Sequence, residues 1–323
     1  MRPILPYLGY AAIAIVAYLL LSGDKPIQVT GLFVVSGLAV GSLYALGGIG
    51  LVVLYRATGV LNLASGAVGA FGVMLAWQLQ QWGWPEALTW PMAIAAATLL
   101  SLVYGRVIAP GLAWRDPVVR AVATLGFALV VLGTTAFIWE DDVRKFALPT
   151  DNAAVMILGL RVTITRLIVV LAAVAIVGLI WFYLGRTRTG LQMRALANER
   201  DISALIGVRI LRVESIAWGI AGVIAGFTGL IAGFTGLMFG DLVRLEPFVI
   251  TFMVIPSVAA AICGRLENLG LVLVGGLTMG VVESLLTLSP MLKSVRPIAP
   301  FVIAAIVLVV MQRGHRLVFA KDE

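Results

Sequence analysis

Ten stretches of about 20 predominantly apolar residues run through this 323-residue chain, at 6–22, 31–54, 57–78, 88–109, 118–138, 164–184, 215–238, 246–263, 268–287 and 295–312. At ~1.5 Å per residue, that is the length an α-helix needs to cross the ~30 Å hydrocarbon core of a bilayer. In lipid each backbone N–H and C=O needs a partner within the protein, so chains of this kind fold as helical bundles. Only 12% of the residues are charged and 61% are hydrophobic, against roughly 25% charged in soluble domains. The expected fold is an all-α integral membrane protein of about ten transmembrane helices, one domain over 1–323. The third run, "ATGVLNLASGAVGAFGVMLAW", is polar enough to predict a partly unwound or re-entrant segment.

Lysine and arginine set the orientation of such a bundle, being retained on the cytoplasmic side. With ten spans and the N-terminus inside, 15 basic residues fall inside and 8 outside, which accounts for all 23. Both termini are therefore expected in the cytoplasm of a cell whose inner membrane holds the chain. The net charge of +7 then reflects topology and needs no nucleic-acid partner. The opening "MRPILPYLGYAAIAIVAYLLLSGDKP" has the layout of a secretory leader. Its long apolar part and the lack of a small-x-small site make it read as a retained first span.

Residues 225–237, "AGFTGLIAGFTGL", write the same six residues twice at an offset of seven. In a helix, seven residues bring each position back to within about 20° of its counterpart, so the glycines form rows on one side. Glycine costs a helix in water about 1 kcal/mol relative to alanine. Between helices in lipid, however, small residues four apart let two backbones approach closely. Gly222, Gly226, Gly229, Gly233 and Gly236 are therefore expected to form a helix-packing face. An early segment, "GLAVGSLYALGGIGLVVLY", carries Gly37 and Gly41 at the same spacing. The assigned topology sends it inward and the late segment outward. Halves 31–138 and 215–312 thus read as an inverted repeat, the arrangement many transporters use to place a pathway at the repeat interface.

The longest charged stretch on the inner side is 185–214, "GRTRTGLQMRALANERDISALIGVRILRVE". Within it Leu196, Ile202, Leu205 and Ile206 are spaced to give a short amphipathic helix an apolar stripe, stopped at Gly207. Such a helix lies on the membrane surface or inserts into a groove on a soluble partner. No G-x-x-x-x-G-K-[ST] phosphate-binding loop is present, so any ATP is handled by another polypeptide. With one cysteine, Cys263, and one histidine, His315, neither a metal cluster nor a catalytic constellation can be assembled. No catalytic or metal-ligating residues are expected.

Polar groups inside the spans are few. Glu283 is a carboxylate inside an apolar run, where ionisable side chains usually face the bundle interior or water. Its position also suits an interfacial ion pair with Lys293 or Arg296. Asn62 and Ser65 share a helical face if helical, and Ser42 and Tyr44 lie in the preceding span. These five are the candidate pathway residues, with helix-to-helix hydrogen bonding as the alternative for the four neutral ones. Pro256 predicts a kink. The loop 139–163, with Glu140, Asp141 and Asp142 beside Arg144 and Lys145, reads as a solvated loop or a docking surface for an outside protein.

Three segments carry a resemblance: "GSLYALGGIGLVVLYRATGVLNLASGAVGAFG", "TRTGLQMRALANERDISALIGVRILRVESIAWGIAGVIAGFTGLIAG" and "CGRLENLGLVLVGGLTMGVVESL". In this order they resemble the inner-membrane permeases of branched-chain amino-acid ABC importers, from about residue 31 onward. The second keeps the family's glycine, arginine-alanine pair, alanine, then glycine and an aliphatic residue at Gly190, Arg194, Ala195, Ala204, Gly207 and Val208. Ser65 stands where family members often carry histidine, Cys263 and Leu266 where glycines are usual, and Leu269 where proline is frequent.

The resemblance implies two cytoplasmic ATPase subunits that take ATP and magnesium. It also implies a second, usually unlike, permease and a periplasmic binding protein. Arg194, Ala195, Glu199, Arg200, Asp201, Ala204 and Gly207 would then belong to the segment that couples to an ATPase. The implied solutes are leucine-type amino acids, with amides, urea and small carboxylates carried by related systems.

Two rival classes remain. A secondary carrier should place ionisable groups at the midplane to couple ions to solute, and no run has one near its centre. A stand-alone channel for a small neutral solute is compatible with the composition.

Overall fold

The computed structural model describes residues 5–22, 26–140, 154–157, 160–235 and 247–312. Each apolar run coincides with helix: α1 (Leu5–Ser22), α2 (Ile27–Thr58), α3 (Ser65–Gln81), α4 (Glu86–Val103), α5 (Pro117–Trp139), α6 (Ile164–Arg186), α9 (Ile210–Thr235), α10 (Pro247–Phe252) with α11 (Val254–Cys263), α12 (Leu269–Leu286) and α13 (Ala299–Gln312). Six helical stretches are long and apolar enough to span a membrane, Ile27–Thr58, Glu86–Leu112, Pro117–Trp139, Arg166–Arg186, Ile210–Gly233 and Leu269–Leu286, joined by shorter apolar helices at Pro6–Ser22 and Pro247–Cys263. The protein is an all-α multi-pass membrane protein. Its one sheet among the described residues is a hairpin of β1 (Ala154–Ile157) and β2 (Leu160–Thr163) in the loop before α6.

Two of the runs break where the sequence gives cause. The third is unwound over 59–64, starting from Gly59 in the left-handed region at φ 69°. The eighth breaks at Met253, between α10 and α11. Pro256 is the reason there: its ring excludes the carbonyl of Phe252 and it has no N–H to donate. The fourth run does not end cleanly either, passing through a π-helical turn (Tyr104–Ile108) and a 3-10 turn (Ala109–Leu112).

Long α2 is the hub, packing on α12, α9, α11 and α6. Glycines bring its backbone against α12: a Cβ on Gly37 would stand 2.6 Å from Val281 Cα, and one on Gly41 2.6 Å from the Gly276 carbonyl oxygen. As the number rises on α2 it falls on α12, so the pair is antiparallel. The same device joins α4 and α9, where Gly222 meets Thr98 and Ser101 while Gly226 meets Ile94 and Ala97. Gly229 turns instead to the backbone of Gly69 on α3. Gly233 is buried in α9, and Gly236 lies outside the described residues. The contacts of the two halves exchange: α2 with α12 as α9 with α4, α3 with α9 as α11 with α2, α3 with α5 as α11 with α13. Around α12, α1 adds a further layer, with the Tyr10 hydroxyl donating to the Cys263 carbonyl at 2.8 Å.

Candidate functional site

Between the unwound approach to α3 and the break at Met253 lies a small cavity, lined by Ser65, Gly66 and Gly69, by Gly47 of α2, by Ala225, Thr228 and Gly229 of α9, and by Ile250, Met253, Val254 and Ser257. Each half of the chain therefore brings one interrupted helix and one glycine-bearing long helix to it. Its volume is about 30 Å³, room for a water molecule or so and for no larger solute. Ser257 spends its hydroxyl on the Met253 carbonyl at 2.8 Å. Thr228 is different: its buried Oγ1 has no hydrogen-bond partner, a cost of about 1–3 kcal/mol.

Non-helical backbone at membrane depth persists only where protein satisfies it, and 59–64 shows how. Arg120 Nη1 donates to the Thr58 carbonyl at 3.1 Å, and the Thr124 hydroxyl accepts from Leu63 N at 3.0 Å while its one proton is shared between the Ala121 carbonyl of its own helix at 2.7 Å and the Leu61 carbonyl at 3.1 Å. Asn62 Oδ1 accepts from Ala64 N at 3.0 Å. Sequence reading missed Arg120 and Thr124. The available signal was a charged residue and a hydroxyl four apart at the start of an apolar helix, next to no obvious partner.

The pathway candidates are thus placed differently from one another. Ser65 borders the cavity, and Asn62 braces the turn before it. Ser42 is fully buried, with its hydroxyl on the Leu38 carbonyl of its own helix at 2.7 Å. Tyr44 and Glu283 meet: the phenol donates to Oε2 at 2.7 Å, while Oε1 accepts from Arg296 Nε at 2.9 Å. The ion pair with Arg296, one of two partners expected, is present.

At the end where α2, α4 and α6 finish and α9 begins, here the lower end, the charged segment is folded as two helices rather than one, α7 (Arg188–Asn198) and α8 (Arg200–Leu205). They part at Glu199, whose extended φ of −146° breaks the ladder. The predicted continuous apolar stripe is split by that break. Met193 and Leu196 are buried in the core, whereas Ile202, Leu205 and Ile206 are 56%, 86% and 71% exposed. Gly207, at φ 89°, ends α8 as expected.

An elbow fixes α7 to the bundle. Thr187 donates to the Tyr183 carbonyl and accepts from Gly190 N at 3.1 Å, and Gly190 sits against the backbone of Leu184, too close for any side chain. Arg194 and Glu199 are exposed, Ala195 is half-buried and Ala204 exposed. Arg194 is within electrostatic reach of Arg56 at the end of α2, as is Glu267 of the α11–α12 loop. The side chains of Arg200 and Asp201 lie outside the described residues, as do Asp141, Asp142, Arg144 and Lys145 of the outer loop. No group of three or more metal-binding side chains forms among the described residues.

Interrupted helices around a small cavity, glycine seams between antiparallel spans and a surface helix pair fixed to the bundle are the architecture of a membrane transport subunit. Residues 33–311 match the family described as branched-chain amino acid transport system / permease component. The chain belongs to that family, and its role is the membrane-spanning permease of an ABC importer. It is 22% identical over 265 residues to the high-affinity branched-chain amino acid transport system permease protein BraD of Pseudomonas aeruginosa, covering 77% of this chain and 84% of that one. To the probable branched-chain amino acid transport permease protein LivH of Methanocaldococcus jannaschii it is 25% identical over 256 residues, covering 76% and 78%.

The departures from the family pattern now have a geometry. Leu266 and its neighbour Arg265 both take positive φ, 57° and 56°, which is why glycine suits that turn. Leu269 is the first residue of α12 after the Asn268 cap, whose Oδ1 accepts from Leu271 N. Proline is at home at such a first position, and leucine serves as well.

Proposed function

We propose that this permease passes branched-chain amino acids or related small solutes inward, driven by two cytoplasmic ATPase subunits, one of which docks on α7 and α8. ATP and magnesium belong to those partners. A second, unlike permease completes the membrane unit and a periplasmic protein delivers the solute. The observation that carries the reading is the lower-end helix pair, anchored through Met193 and Leu196 while presenting Ile202, Leu205 and Ile206 outward. Three large apolar side chains on a charged surface are a protein-binding feature. The basic residues gathered at that end support placing it, and both termini, in the cytoplasm.

The exchanged contacts of the two halves, with antiparallel α2/α12 and α4/α9 seams, support an inverted repeat of 31–138 and 215–312. Solute sites in such folds lie between discontinuous helices. Under this reading the cavity at Ser65, Thr228 and Ser257 is the closed constriction, and Tyr44, Glu283 and Arg296 hold the opposite side of the bundle shut. ATPase closure would move α7 and α8, and the short link 206–209 would pass that motion to α9.

The test is purification of the tagged chain in mild detergent, with single cysteines at Leu205 and Ile206 for cross-linking. Two ATPases and a second permease, with cross-links from either cysteine to an ATPase, are the expected result. A chain that runs alone or only with itself would overturn the importer reading in favour of a channel or carrier.

A further inference from the structure

A second, larger concavity lies on the outside of the bundle. It is a groove of about 1070 Å³ floored by α9 from Leu211 to Phe227, with walls from α4 between Thr98 and Arg106 and from α6 between Ile176 and Tyr183. Its lining is largely apolar, with Thr98 and Ser215 among it, and it carries Arg106, Arg212 and Tyr183 at the lower end of the bundle. The π-helical turn explains how Arg106 arrives there. Tyr104 and Gly105 are pinned against Trp218 of α9, which leaves Arg106 turned outward and exposed.

We infer that this groove holds one anionic phospholipid of the lower leaflet, with an acyl chain on α9 and the phosphate between Arg106 and Arg212. Three observations favour that occupant. Charge is complementary, since both arginines are exposed and form no ion pair among the described residues. Depth of the walls fits one leaflet: they run about 10–12 Å, within roughly 15 Å for half of the hydrocarbon core, while the α9 floor continues past them to about 24 Å. A partner helix would need a seam across the full core. Above Phe227, α9 packs against α3, at Gly229. The groove floor also contains Gly219, where a Cβ would meet only Leu102 Cδ2 at an ordinary 3.7 Å. Glycine there is not demanded by packing between helices, and it deepens the channel available to a chain of methylenes.

The inference rests on the membrane reading, and only the naming of the leaflet as cytoplasmic rests on the proposed orientation. The full complex, or the chain alone if it purifies alone, is placed in nanodiscs of phosphatidylcholine with a minor fraction of phosphatidylglycerol. Lipid retained after detergent extraction is then counted by native mass spectrometry. Wild type should keep about one phosphatidylglycerol per chain. R106Q with R212Q should weaken its retention roughly thirtyfold, as expected for two basic charges near a headgroup, without changing retention of phosphatidylcholine. G219L should fill the floor and release the lipid while thermal stability stays at the wild-type value. Equal retention of phosphatidylglycerol in wild type and in both variants would overturn the inference. So would a cysteine at Ile220 that cross-links to the second permease. Loss of ATPase co-purification would leave these readouts unaffected, so the two proposals fail separately.

Discussion

The Tyr44 phenol donates a 2.7 Å hydrogen bond to Glu283 Oε2, tying the middle of α2 to α12, while Arg296 Nε holds Oε1 from the segment ahead of α13. Three elements are thereby joined through one buried carboxylate. Removing one member of a buried ion pair costs about 3–5 kcal/mol, because the other charge stays desolvated. A neutral hydrogen bond to a carboxylate contributes about 1.5–3 kcal/mol. Glu283→Gln is expected to lower the unfolding temperature of the purified protein more than Tyr44→Phe. The double variant should fall short of the sum, because both changes act on one network. Strict additivity would show that the two residues are energetically separate.

The turn between α11 and α12 holds two non-glycine residues at positive φ, Arg265 and Leu266. The left-handed region costs an L-residue roughly 1–2 kcal/mol. Arg265 is exposed, so Arg265→Gly should raise stability by about 1 kcal/mol, and Arg265→Ala should leave it unchanged. Leu266 also packs against the core, so Leu266→Gly trades strain for lost burial and should come out near neutral. Thermal unfolding of the three variants checks this ordering. A stability loss in Arg265→Gly would contradict it.

Much of this architecture is legible in the residues. Run lengths located the apolar helices because the bilayer fixes how long an apolar segment must be. Gly222 and Gly226 announced their seam because nothing else rewards glycine four apart in a lipid-embedded helix. The polar residues were harder to read. Asn62 and Ser65 looked paired on a helical face, yet the backbone there is unwound, so one braces a turn and the other borders a cavity. Arg120 and Thr124 serve that same turn from 61 to 63 residues away, and a long-range partner leaves no periodicity. The α7–α8 break is equally silent, since Glu199 is an ordinary helix former and its extended backbone leaves no mark on the residue type.

The α4–α9 seam admits a direct test. A Cβ at Gly226 would lie 2.9 Å from Ala97 Cβ and 3.1 Å from Ile94 Cα, so a leucine side chain there must push the helices apart. Overpacking of this kind costs about 1–3 kcal/mol or more. Gly226→Leu is expected to reduce the yield of folded protein and complex. Gly178→Leu on α6, where nothing lies within 4 Å of a new Cβ, is expected to leave it unchanged. Normal yield and uptake with Gly226→Leu would refute the close-packing role of that face.

The two helices of the coupling segment should respond to truncation in opposite ways. Leu196 is buried, and Leu196→Ala should cost about 2–5 kcal/mol of stability. Leu205 is 86% exposed, so Leu205→Ala should stay within ±0.5 kcal/mol while lowering ATPase co-purification and solute uptake. Unfolding temperature and co-purified ATPase, measured on the same preparations, separate the two. A Leu205→Ala protein that keeps its full ATPase complement would remove α8 from the docking face.

Thr228 bears on the constriction itself. Its buried hydroxyl has no partner beside the small cavity, and leaving a polar group so placed is unfavourable. Valine has nearly the same shape without that group, so Thr228→Val should unfold at the same temperature or about 1 kcal/mol higher in stability. A purely structural residue would then transport as well as wild type. A hydroxyl that meets passing solute or its water would not, and the proposed pathway therefore requires slower uptake from a protein that is no less stable. ATPase activity measured alongside distinguishes the cases further: coupling through α7 and α8 is untouched, so ATP turnover should persist while uptake falls. Unchanged uptake would mean that the cavity at Ser65, Thr228 and Ser257 is a packing gap between the two halves, and would move the solute route to the surface shared with the second permease.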